Sequence, residues 1–406
     1  MGKNSRYKRL IIRELYFSAV LSCAELCLKI NKSFPIITKL LNELVEDNIV
    51  VETGFAPSKG GRRPLTYALN TGVLYIVSVA MDQFVTRIAI MDMHNDFVVP
   101  EVKFELPLPN NPQALTALSQ KLNELLQTSG IAKEKIAGIG IGMPGFVNAR
   151  KGINYSFLQS SGKSIVQTIA ESVGLPVFID NDSSLIALAE LRFGAAKTKK
   201  NVMVINIGWG IGLGLVLNGE LFRGTDGLAG EFSHIPLFLN GKLCSCGKSG
   251  CLETEASLLE VIKKAQEGLN AGRVSKLKMV PAEKFERASE AIMTAANEGD
   301  QFAVELLSEA GYTIGRGVAV LIHVLNPELV ILSGRGSLAG KVWQAPIQQA
   351  LNEYCIPRLS HSTVIEMSTL GYEAELIGAA TLVMENYDKM PAGNTTAPLS
   401  KSVHVE

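Results

Sequence analysis

The chain reads as an α/β protein preceded by a small, basic winged helix-turn-helix module. Three observations predict this. Residues 1–70 carry eleven Lys or Arg against six Asp or Glu, a balance of +5, while the remainder carries 28 against 33, a balance of −5, so a formal net charge of zero conceals a basic head. From Leu74 onward apolar strand-like runs alternate with helical ones, the pattern of sheets covered by helices. His234, Cys244, Cys246 and Cys251 fall within eighteen residues, the donor set of a closed tetrahedral zinc site, with Gly247 and Gly250 letting the chain double back between the last two thiols.

Composition bounds the rest. With 47% hydrophobic content in 406 residues the chain can bury a large core, and its length predicts two or three domains. Three of the six cysteines belong to the metal motif, and Cys23, Cys27 and Cys355 sit in apolar periodic segments, so a disulfide framework is not expected and a reducing cytoplasm is. No run of eighteen apolar residues occurs, and Leu10–Val20 is interrupted by Arg13 and Glu14, so neither membrane insertion nor a signal peptide is expected.

Within the head, Arg6–Phe17 has the spacing of one helix, and Cys23–Ile30, capped by Ser22, that of a second. Ser33 opens a third helix with Pro35 in its first turn, where a missing N–H costs nothing. Ile37, Leu40, Leu41, Leu44 and Val45 form its apolar stripe, leaving Phe34, Ile36, Thr38, Lys39 and Asn42 on or near the outward face. Ile49–Glu52 and Leu65–Leu69 read as two strands joined by Gly54–Pro64, whose Gly-Gly-Arg-Arg-Pro tip suits a narrow minor groove. This is a winged helix-turn-helix with its third helix as groove reader, and Ser33, Thr38, Lys39, Asn42, Arg62 and Arg63 are the candidate DNA contacts. Thr38 and Asn42 are the candidate base readers, although Thr38 suits a phosphate nearly as well and Asn42 lies far along the helix.

In the body, Tyr75–Ala80 and Val85–Met91 form a hairpin, Ala114–Gln127 a helix and Ile136–Ile141 a buried strand. Val177–Asp182 is a strand whose end presents Asp180, Asn181 and Asp182, followed by a small-residue helix from Ser183 to Phe193. Groups at the carboxyl ends of strands are where an open α/β sheet places its ligands. Val202–Ile207 leads into Gly208-Trp-Gly-Ile-Gly-Leu-Gly214, and Leu329–Leu332 into Gly334-Arg-Gly336. Either glycine cluster suits a phosphate or a close packing contact.

Together Ile179-Asp-Asn-Asp182, Gly208-Trp-Gly-Ile-Gly, Gly227-Leu-Ala-Gly-Glu-Phe-Ser-His234 and Cys244-Ser-Cys-Gly-Lys-Ser-Gly-Cys-Leu-Glu253 resemble the ROK family, which groups repressors, open reading frames and sugar kinases. The resemblance covers roughly residues 70–388. It implies an actin-like, hexokinase-type pair of lobes with a sugar between them, gripped by Asn181, Asp182, Glu231 and His234. His234 would double as ligand of a structural zinc with Cys244, Cys246 and Cys251. In the kinases Asp182 would be the base. The expected domains are 1–70, the winged head; 71–190, the first lobe, completed by 371–388; 191–370, the second lobe with the zinc motif; and 389–406, a disordered tail.

One departure directs the functional expectation. The kinases of the family carry Asp-x-Gly-Gly-Thr in the first hairpin of the body, positioning ATP phosphates and magnesium. Here the aspartate falls at Ala80, and Met81, Gln83 and Phe84 occupy the turn. Trp209 stands in the second phosphate loop, where a small hydroxyl residue is usual in the family. The expectation is therefore a cytoplasmic, dimeric or dimer-of-dimers repressor, not an enzyme, that binds operator DNA and a sugar or sugar phosphate. The alternatives are an ATP-dependent sugar kinase that carries a DNA-binding domain, and a regulator controlled by a protein partner.

Overall fold

The computed structural model describes residues 3–56, 63–158, 162–278 and 284–390. The chain divides into two compact units, Met1–Asn181 with Leu376–Glu406, and Asp182–Glu375.

The head comprises α1 (Lys3–Ser18), β1 (Val20–Ser22), α2 (Cys23–Ile30), α3 (Phe34–Glu46), β2 (Val50–Phe55) and β3 (Leu65–Leu69), with β3 between β1 and β2 in an antiparallel sheet. The helices meet on Ile11, Ile12 and Leu15 of α1, Leu26 of α2, and Ile37, Leu40, Leu41 and Leu44 of α3, all fully buried or nearly so. Each such side chain contributes on the order of 1.5–3 kcal/mol. A full capping box starts α2: Ser22 Oγ accepts from the Glu25 amide, and the Glu25 carboxylate accepts from the Ser22 amide. The three-residue strand β1 was not legible in the sequence, because its pairing with β3 is decided only by the fold. The wing tip, with Arg62, lies outside the described residues, and Arg63 stands exposed at its edge.

The first lobe continues with β4 (Tyr75–Met81), β5 (Val85–Met91), β6 (Val102–Glu105), α4 (Ala114–Thr128), β7 (Ile136–Met143), the short pair β8 (Val147–Asn148) and β9 (Ile153–Asn154), α5 (Ile165–Val173) and β10 (Val177–Asn181). Its sheet runs β10-β7-β4-β5-β6, with β10, β7 and β4 parallel and β5 and β6 antiparallel additions. Burial on both faces explains why β7 is apolar or glycine throughout.

The second unit holds α6 (Asp182–Arg192), β11 (Val202–Ile207), β12 (Ile211–Leu217), β13 (Glu220–Phe222), α7 (Leu252–Ala256), α8 (Leu258–Asn270), α9 (Phe285–Asn297), α10 (Gln301–Leu325), β14 (Leu329–Ser333), α11 (Gln344–Tyr354), α12 (Pro357–Ser360) and β15 (Val364–Met367). Its sheet order, β13-β12-β11-β14-β15, repeats the topology of the first: a parallel trio extended by an antiparallel hairpin. The sequence pattern assigns residues 182–190 to the first lobe and begins the second at 191. The contact boundary lies instead at Asn181/Asp182, because all of α6 packs on β11 and β12. At the far end the boundary falls at Glu375/Leu376 and not at 370.

The last helix, α13 (Ala374–Asn386), returns to the first unit, where the Ala379 carbonyl presses on Gly140 of β7. Its continuation, a tight turn over Tyr387–Lys389, receives the head. The Arg9 guanidinium donates to the Met390 carbonyl at 2.6 Å, and that of Arg13 to Asp388 at 2.7 Å. Tyr16 bonds to Asn95. Lys389 and Met390, read from sequence as the start of a disordered tail, are thus part of the fold, Met390 being buried under this contact. The Asp388 side chain is 2% exposed and that of Arg13 is 25%. Asp388→Ala should therefore lower the stability of the first unit by about 1–2 kcal/mol, less than a fully buried pair because Arg13 keeps Glu14 and some water. Urea unfolding checks it, and a loss under about 0.5 kcal/mol would reduce the pair to a surface contact.

Candidate functional site

Asn181 ends β10, its side-chain Nδ2 donating to the Gly145 carbonyl at 3.2 Å within the first unit. The next residue, Asp182, opens α6 in the second unit. One of its carboxylate oxygens accepts from the Ser183 amide at 2.7 Å, and the other from Asn206 Nδ2 at 3.3 Å. Asn206 also donates to Ser183 Oγ at 3.1 Å, so the start of α6 and the end of β11 are tied through side chains. The glycines of the first cluster make this possible. A Cβ on Gly212 would lie 1.9 Å from Ser183 Oγ, and one on Gly214 would lie 2.3 Å from the Ala187 Cβ. Gly334 and Gly336 are likewise pressed on Asn206 and Ile207. Of the two readings the sequence left open, close packing accounts for these four glycines.

After β13, Glu231 caps and His234 ends a short 3-10 turn, Phe232–His234. His234 uses both ring nitrogens: Nδ1 lies 3.5 Å from Cys244 Sγ, and Nε2 lies 3.8 Å from the Glu231 carboxylate. Burial raises the Glu231 carboxyl above its ordinary value, His234 opposes the rise, and the neighbouring Glu253 carboxylate adds to it. Glu253 also accepts from the Ile211 amide at 3.4 Å. Three carboxylates, Asp182, Glu231 and Glu253, therefore stand on loops and helix starts next to the ends of β11 and β12.

The donor atoms of His234, Cys244, Cys246 and Cys251 all lie within 4.8 Å of one another, with Cys246 Sγ and Cys251 Sγ 3.6 Å apart. A tetrahedral zinc with Zn–S of about 2.3 Å and Zn–N of about 2.1 Å has donor-to-donor edges of roughly 3.6–3.8 Å. The donor set and its spacing fit such an ion. Burial and the neighbouring thiols push the Cys251 thiol up to about 12.

The turn between β4 and β5 is closed on itself. Ala80 is buried and paired with Arg87. Asp82 Oδ1 accepts from the amides of Phe84 and Val85, both at 2.7 Å. Amides that could meet a phosphate are thus occupied by the chain's own carboxylate. Within the second glycine cluster, Arg335 is 4% exposed, its guanidinium carbon 4.4 Å from the Trp209 ring centroid and 4.6 Å from that of Tyr372. It donates to Glu286 and to Tyr372 Oη, both at 2.6 Å. No sequence pattern announced this cluster, because residues 209, 286, 335 and 372 meet only through the fold.

In the head, Lys39 and Asn42 are exposed on α3 as expected, and Ser33 takes the N-cap backbone conformation although its side chain makes no capping hydrogen bond. Thr38 is less available than the sequence suggested: its hydroxyl lies 3.4 Å from Cys23 Sγ of α2. The basic surplus is also partly internal. Lys8 pairs with Glu43 and Asp47, and Arg9 and Arg13 hold the C-terminal turn.

The ROK family model matches residues 82–386. The chain belongs to the ROK family. Among its relatives, the glucokinase of Halalkalibacterium halodurans is 32% identical over 304 residues, 73% of this chain and 92% of that protein. The xylose repressor of Caldicellulosiruptor bescii is 27% identical over 397 residues, 95% of this chain and 96% of that protein. A solved ROK family transcriptional regulator, described as a homolog of the E. coli MLC protein, has a TM-score of 0.74 at 26% identity and covers 94% of this chain and 97% of its own. The repressor matches span so much of the chain that they must include most of the head. Asn206 and Glu253, which the fold brings beside Asp182 and Glu231, are positions to which the sequence assigned no role. Asn206 was detectable as the one polar residue in the apolar strand Val202–Ile207, and Glu253 as a carboxylate two residues beyond Cys251.

Proposed function

We propose that this chain is a sugar-responsive transcriptional repressor and not a kinase. The observation that carries the reading is the three-helix head with its antiparallel wing, N-terminal to a ROK domain, in a chain that the xylose repressor of C. bescii matches almost from end to end. The closed β4–β5 turn, with its amides held by Asp82 and no carboxylate at residue 80, argues against phosphoryl transfer, which depends on positioning and on metal neutralisation of phosphate charge. In this reading Asn181, Asp182, Glu231 and His234, joined by Glu253, accept and donate to sugar hydroxyls. Ser33, Lys39, Asn42, Arg62 and Arg63 approach operator DNA. His234, Cys244, Cys246 and Cys251 hold a structural zinc that fixes the 235–250 segment and does no chemistry. Two copies of the chain bind two half-sites about 34–36 Å apart, and the sugar acts by favouring one arrangement of the chain over another. The six free cysteines suit a reducing cytoplasm, and no helix among the described residues is long and apolar enough to cross a membrane.

The test is a panel of pentoses, hexoses, aminosugars and their phosphates, read first by thermal shift and then by operator affinity. One sugar should raise the melting temperature and change DNA affinity by about tenfold or more, with no ATP consumed. Turnover of that sugar with ATP would make the chain a kinase, and a sugar that binds without altering DNA affinity would remove the regulatory reading.

A further inference from the structure

One polar candidate reader of α3 is engaged within the head, and the leading edge of the helix is apolar. Thr38 is engaged with Cys23, and Asn42 stands between Lys39 and the carboxylates of Glu43 and Glu46. Phe34, Pro35 and Ile36, the first three residues of the helix, all face solvent, with Phe34 57% and Ile36 42% exposed. Single exposed apolar side chains need no explanation, but three in a row at the entering end of a reading helix do. Charge runs the same way along the helix. Lys32 and Lys39 lie in or beside its N-terminal half, while Glu43, Glu46 and Asp47 crowd its last turns, with Glu43 and Asp47 held inward by Lys8. The N-terminal turns therefore meet a polyanion more favourably than the last ones.

Resting on the repressor reading, we infer that Phe34 and Ile36 read thymine 5-methyl groups in the major groove and make the half-site A·T-rich beneath the start of α3. The thymine methyl is the one apolar group that a base presents in that groove. A G·C pair lacks that methyl and offers only polar groups and the cytosine C5–H there, so the contact favours A·T by the worth of the methyl.

The experiment uses the full chain and a duplex enriched by it from a random pool. Each thymine of that duplex is replaced in turn by deoxyuridine, which keeps every hydrogen-bonding group and removes only the methyl. One or two positions per half-site should lose roughly fourfold in affinity each, the worth of one buried methyl. Phe34→Ala and Ile36→Ala, both at exposed sites, should lose affinity for the enriched duplex, keep the binding of an unselected duplex, and make those deoxyuridine replacements neutral. Deoxyuridine tolerated at every position of a bound duplex would overturn the inference and leave the repressor reading standing. So would unchanged deoxyuridine losses in both variants, or variants whose only change is weaker self-association, which would make the apolar edge a contact between copies. A pool from which nothing is enriched would overturn the repressor reading itself, and this inference with it.

Discussion

Cys251→Ser should empty the metal cluster and cost the second unit much of its stability. The Cys251 side chain is fully buried, its sulfur 3.6 Å from that of Cys246. Structural zinc sites bind with on the order of 10 kcal/mol of free energy, which becomes folding free energy where the site does not pre-exist. Here backbone bonds also hold the segment, among them Leu237 N to the Gly250 carbonyl at 2.9 Å and Cys244 N to the Lys248 carbonyl at 2.8 Å, so part of the loop should survive. If even about 3 kcal/mol is lost, the melting temperature of a unit this size falls by roughly 6–12 °C. Metal analysis should find about one zinc per chain in the parent and little in the variant, and chelation of the parent should reproduce the variant's melting curve. A variant that melts with the parent, or a parent purified without zinc, ends the structural-zinc proposal.

Asp182→Ala should cost roughly a hundredfold in sugar affinity while sugar-free operator binding stays near that of the parent, since charged hydrogen bonds of the kind a carboxylate makes to hydroxyls are worth about 1.5–3 kcal/mol each. The alternative is that Asp182 merely organises the start of α6, because it also accepts from Ser183 and Asn206. That role predicts a different result: a lower melting temperature with sugar affinity unchanged. Isothermal titration of the responsive sugar and a melting curve on the same sample separate the two. Asp182→Asn should fall between, since an amide oxygen can still accept from Ser183 but carries no charge.

The regular parts of this chain were legible because local chemistry and global packing agree there. The second and third helices of the head begin after Ser22 and Ser33, where a small polar residue precedes an apolar stripe, and the strands Val202–Ile207 and Leu65–Leu69 stand where β-branched and aromatic residues cluster. The metal cluster was legible for a stronger reason: its four donors lie so close in sequence that tight turns alone can gather them.

Long-range contacts were not legible. Arg9 and Arg13 looked like part of a DNA-seeking surplus until the C-terminal turn, more than 370 residues away, claimed them. The glycines of both clusters carried two meanings, and only the approach of α6 to Gly212 and Gly214, and of Asn206 and Ile207 to Gly334 and Gly336, gave these four one. The sequence by itself determined the helices and strands with clear apolar periodicity, the zinc-type donor set and the absence of an aspartate at residue 80, because these depend on residue type and on spacings of a few residues. Tertiary structure alone decided that Asp82 closes the amides of its own turn, that Arg335 lies against Trp209 and Tyr372, and that Thr38 faces Cys23. A side chain's partner is chosen by whichever group the packed chain brings within about 3–4 Å, and one-dimensional spacing carries no such distance between separate elements.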